Sequence, residues 1–69
     1  MFNNKIRQRR EELGLSQSKL ARLVGVPESA MSDIELGKRR PWPKVRRALA
    51  NVLEMPQSEL FQEDDTDGR

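Results

Sequence analysis

Residues 15–38, LSQSKLARLVGVPESAMSDIELGK, decide the fold. Leu20, Ala21 and Val24 recur at helical spacing, and so do Met31 and Ile34, with Gly25-Val26 between the two groups. Ser16 carries the side-chain acceptor that caps a helix predicted over 17–24, and Gly25 ends that helix. A second helix is expected from Pro27 or Glu28 to Leu36, with Gly37 as its left-handed stop. A connection of so few residues makes the two short helices cross steeply, which leaves one face of the second projecting from the body. Positions i, i+1, i+4 and i+5 share a helix face, so the projecting side chains are Glu28, Ser29, Ser32 and Asp33.

The rest of the chain extends the same periodicity. A first helix is predicted over 4–13, turning Phe2, Ile6 and Leu13 inward and stopping at Gly14. After the loop Lys38-Arg39-Arg40-Pro41-Trp42, Pro43 suits a first helical position and opens a helix that buries Val45, Leu49, Val52 and Leu53. A last turn over 56–61 closes the core with Met55, Leu60 and Phe61. No run of β-branched residues forms a strand, so the expected class is all-α, a compact bundle of about five short helices. The folded domain is assigned to 1–61. Residues 62–69, QEDDTDGR, hold no apolar side chain to bury and are expected to form a disordered acidic tail.

Composition removes whole classes of chemistry. A chain of 69 residues buries only about 60% of its unfolded surface, so the core is small and a large catalytic cleft is not expected. It has no cysteine and no histidine, which excludes disulfides, thiolate nucleophiles, imidazole bases and Cys/His metal sites, and no metal or other cofactor is implied. Isolated carboxylates without a pocket do not make an active site, so no enzyme is expected. Nothing approaches the roughly 18 consecutive apolar residues of a membrane span, and the polar first residues are not a secretory signal, so a cytoplasmic location with no membrane partner is expected. Charge is divided: twelve Lys/Arg against five acids give residues 1–47 a net +7, whereas one arginine against six acids gives 48–69 a net −5. A basic body with an acidic end fits a polyanionic partner.

Leu13-Gly14-Leu15-Ser16-Gln17, Leu20-Ala21, Val24-Gly25-Val26 and Ile34-Glu35-Leu36-Gly37-Lys38, in that order and spacing, resemble the phage repressor and Cro family, also called XRE-like regulators. The resemblance spans about residues 4–61. It implies a repressor-like helix-turn-helix that binds double-stranded DNA as a transcriptional regulator, acting as a homodimer on two half-sites. It further implies that the face of Glu28, Ser29, Ser32 and Asp33 enters the major groove, and that the loop carrying Lys38, Arg39, Arg40 and Lys44 grips phosphates. Gln17 opens a helix whose free N–H groups suit a phosphate oxygen. The family pairs an arginine late in its first helix with a glutamate late in its third, which implies a structural ion pair between Arg10 and Glu35.

The chain departs from the family pattern at the reading helix. Pro27 stands where a Ser or Thr cap is usual, and Glu28 and Asp33 replace amide or basic residues. A carboxylate can accept from cytosine N4, whereas arginine-to-guanine readout from this helix is excluded because it carries no cation. Arg46 and Arg47 are reserve phosphate contacts; Lys5, Arg7, Lys19 and Arg22 are expected to be solvated. Trp42, between two prolines, either covers the core or stacks at a DNA or dimer surface. The competing reading keeps the fold and makes the acidic helix a docking face for a protein partner, as in an antitoxin or the binding half of a regulatory complex.

Overall fold

The structure, a computed structural model, describes residues 4–61. Five α-helices follow one another: α1 (Ile6–Glu12), α2 (Gln17–Val24), α3 (Glu28–Glu35), α4 (Pro43–Leu53) and α5 (Gln57–Leu60), with no strand among the described residues. The expected helix–turn–helix is α2–α3. Phe2 and the acidic tail fall outside the described residues.

The α2–α3 connection is short because both of its ends are encoded locally. Ser16 Oγ accepts from the Lys19 N–H at 3.0 Å and caps α2. Gly25 then takes φ 89°, and the N–H groups of Gly25 and Val26 both donate to Ala21 O, at 2.8 and 3.0 Å. A Cβ added at Gly25 would meet nothing within 4 Å, so backbone conformation and not space is what requires glycine there. Pro27 sits at the N-cap of α3 and supplies no side-chain cap, as expected. Glu28 in the first turn offsets that loss in part, because its carboxylate faces the positive end of the helix dipole.

One side chain or more from every helix enters the core. Ile6, Leu20, Met31, Ile34, Leu49, Leu53 and Leu60 are fully buried, with Ala21, Val45 and Phe61 nearly so. Burying each of the large ones contributes about 1.5–3 kcal/mol. Val24, Val52 and Met55 are only half-buried and pack against the rim. Leu13 corrects the sequence reading: α1 stops at Glu12, the chain turns away through Gly14, and Leu13 is left 37% exposed. Ala30, not expected in the core, is buried as well. Trp42 is 44% exposed at the start of α4.

Polar contacts set the angle of α3. Asn4 Nδ2 donates to Ile34 O at 2.9 Å, while its Oδ1 accepts from the Ile6 N–H at 3.1 Å, so one side chain both starts α1 and holds the end of α3. The Lys5 N–H donates to Leu60 O at 2.9 Å and Arg9 Nε to Leu53 O at 2.9 Å, tying α1 to the closing elements. Asn4→Ala is therefore expected to cost about 1–2 kcal/mol in a urea titration, from the loss of its two bonds to backbone groups of α1 and α3. A midpoint equal to the parent's would show that these two bonds contribute nothing.

Candidate functional site

The α2–turn–α3 unit presents one open face. Glu28 and Ser29 are exposed in the first turn of α3, and Ser32 and Asp33 are half-buried one turn further on, so the four side chains follow the face expected from their spacing. Neither the Glu28 nor the Asp33 carboxylate has an ion-pair or hydrogen-bond partner among the described residues. No lysine or arginine lies between Pro27 and Gly37.

At the C-terminal end of this face is an ionic network. Arg10 Nε donates to Glu35 Oε2 at 2.8 Å and Arg10 Nη2 to Glu35 Oε1 at 3.3 Å, with side-chain exposures of 11% and 4%. The third nitrogen, Nη1, donates to Leu15 O at 2.8 Å. Gln17 Nε2 adds a bond to Glu35 Oε1 at 3.2 Å. Hence Arg10 on α1 touches the loop that leads into α2 and the last turn of α3, and Gln17 joins α2 directly to α3. The expected ion pair is present, and it is buried enough that neither partner can be removed without stranding the other.

Arg7, Arg10, Gln17, Ser32, Glu35 and Leu36 line an open cleft of about 310 Å³. The fold thus brings together Gln17, expected at phosphate, Ser32, expected at bases, and the ion pair. Ser16 Oγ and Ser16 O take the N–H groups of Lys19 and Leu20. The N–H groups of Gln17 and Ser18, in the first turn, have no intrahelical acceptor and point out of the positive end of α2.

The cations follow α3 in the chain. Lys38, Arg39 and Arg40 are exposed in the loop, Pro41 after them is buried, and Lys44 is exposed in the first turn of α4. Arg47 is exposed. Arg46 is half-buried with its guanidinium 4.7 Å from the centre of the Phe61 ring, a cation–π contact that helps close the core and makes it a weaker reserve than Arg47. Arg7, expected to be solvated, is 70% exposed and pairs with Glu11 at 3.2 Å. Asn4 and Arg9 were not singled out by the sequence, although an asparagine just before a helical run is a cap signal.

Among the described residues no group of acidic side chains could hold a metal, and no helix is long and apolar enough to cross a membrane. The family model for the helix-turn-helix domain matches residues 4–61. No curated protein matches the chain. Among solved structures, the restriction-modification controller protein C.AhdI from Aeromonas hydrophila is 35% identical with a TM-score of 0.75, covering 83% of this chain and 86% of its own. The P22 c2 repressor, solved in complex with a synthetic operator, is 32% identical with a TM-score of 0.80, covering 87% and 91%. SinR of Bacillus subtilis, solved in complex with the SinI protein, is 33% identical with a TM-score of 0.77, covering 86% of this chain and 58% of its own.

Proposed function

The chain belongs to the helix-turn-helix domain family, and from that premise we propose that it is a sequence-specific, double-stranded DNA-binding transcriptional regulator. One observation carries the reading: α2 and α3 form a tight, rigidly braced unit whose outer α3 face is bare, in a fold matched at a TM-score of 0.80 by a repressor bound to its operator. In this reading α3 lies in the major groove, with Glu28, Ser29, Ser32 and Asp33 toward base edges. Gln17 and the first N–H groups of α2 hold one phosphate, and Lys38, Arg39, Arg40 and Lys44 neutralise others. Arg10 and Glu35 touch no base; they keep α3 at its angle.

One short helix reads only a few base pairs. A homodimer on two half-sites about 34–36 Å apart supplies the remaining specificity. No catalytic role is assigned: Glu11 and Glu12 pair with Arg7 and Arg9, and Glu28 and Asp33 lie on the open face of α3. A DNA target implies a cytoplasmic location. A protein partner is also compatible: SinR is matched in a complex with another protein, and Leu23 and Leu36 are half-exposed on α2 and just after α3.

A salt titration of duplex binding tests the reading. With several phosphate contacts, log affinity falls with log salt at a slope of about −0.9 per contact. A chain that fails to bind duplex DNA at low salt, yet binds a protein, belongs to the competing interaction-module reading.

A further inference from the structure

We infer that Glu28 is the specificity-determining residue of α3 and that each half-site carries a cytosine whose amino group faces it; this rests on the DNA-binding reading above. The outer face of α3 offers acceptors where DNA readers commonly offer cations. Its charged groups are the Glu28 and Asp33 carboxylates, and its neutral ones the Ser29 and Ser32 hydroxyls. The guanidinium at the C-terminal end of this face is not available to guanine, because Arg10 directs Nε and Nη2 to Glu35 and Nη1 to Leu15 O. Guanine O6 and N7 are both acceptors and meet no cationic donor on this face.

The three carboxylates of α3 are not equivalent. Glu35 is 4% exposed and saturated by Arg10 and Gln17. Asp33 is half-buried, lies in the middle of the helix and is one methylene shorter. Glu28 is exposed in the first turn, without a partner among the described residues, and has the longer reach. In helix-turn-helix docking the N-terminal residues of the reading helix meet base edges, which is where Glu28 stands.

A carboxylate carried between two rows of phosphates is repelled unless a base returns a hydrogen bond. Two major-groove donors exist, the amino groups of adenine and cytosine. On adenine the amino group is flanked by the N7 lone pair, which repels the second carboxylate oxygen. On cytosine its neighbour is a ring C–H, which does not. Cytosine is therefore the matched base, and at other bases the same charge acts against binding. Glu28 thus both selects its base and lowers the affinity for random sequence.

The test is binding-site selection from a random duplex library with the parent and with Glu28→Gln, followed by affinities on the parent's selected duplex. The parent motif is expected to hold a cytosine at one position per half-site. The amide of Glu28→Gln can bond both N6 and N7 of adenine, so the variant should exchange that cytosine for adenine, a change in discrimination of about 5- to 150-fold. N4-methylcytosine at that position keeps its base pair but replaces the groove-facing N–H by a methyl group, and should weaken the parent by a comparable factor. Loss of the Glu28 charge from the first turn should lower the urea midpoint only slightly, and the salt slope should hardly move. Two results overturn the inference while leaving the DNA reading intact: parent and variant recover one motif without the exchange, or N4-methylation has no effect. A parent that enriches no motif overturns both.

Discussion

Arg10→Met destabilises the domain by about 3 kcal/mol, a large part of the roughly 5–15 kcal/mol that a small domain has. The cause is what remains. Glu35, with 4% of its side chain exposed, loses both guanidinium bonds and keeps only the Gln17 amide at 3.2 Å, while Leu15 O loses the donor it had at 2.8 Å. The pair itself adds little to stability, because desolvating two charges offsets most of their attraction. Breaking it on one side is the costly event. Arg10→Met combined with Glu35→Leu should accordingly recover much of the loss, since no charge is then stranded. Urea midpoints of the three proteins measure this directly. A loss below about 0.5 kcal/mol for Arg10→Met would put the pair among ordinary exposed ones. The double variant should still bind DNA less well than the parent, because the bonds that join α1, α2 and α3 are gone although the stability has returned.

The second large effect is on affinity. Replacing Arg39, Arg40 and Lys44 together by alanine should weaken binding to specific and random duplexes alike, since phosphate contacts carry charge and no sequence. If each residue neutralises one phosphate, the slope of log affinity against log salt flattens by about 0.9 per contact, and near physiological salt the three together contribute about 100-fold. All three side chains are exposed, so the fold should survive the replacement, with its urea midpoint read alongside. Fluorescence anisotropy over a salt series reads both numbers. An unchanged affinity and slope would move the phosphate clamp elsewhere on the surface, with Lys38, Arg47 and the start of α2 the next candidates.

What could be read from the sequence was what is encoded locally. Ser16, Gly25 and the apolar spacing of Leu20, Met31 and Ile34 determine α2, its stop and the buried face of α3 through interactions within a few residues, and these agree with the structure. Leu13 misled because periodicity carries no information on where a short helix ends; one residue beyond Glu12 the chain has left the core. Ala30 carries only a methyl group, which signals burial weakly in a sequence. Arg10 and Glu35 came from family resemblance and not from spacing, since 25 residues separate them. Their further partners, Gln17 and Leu15 O, and the bridge from Asn4 to Ile34 O are contacts between elements, which no local pattern contains. The candidate interface was legible as a list of residue types. The bracing that holds it at one angle was not.

Recognition of sequence by this braced, acidic α3 is read from the ratio of two affinities at one near-physiological salt concentration, for the selected duplex and for a scrambled duplex of equal length and composition. The expected ratio is about 1,000 or more. A ratio near one, with both affinities falling equally as salt rises, would mean that the chain holds DNA by charge alone and that α3 reads nothing.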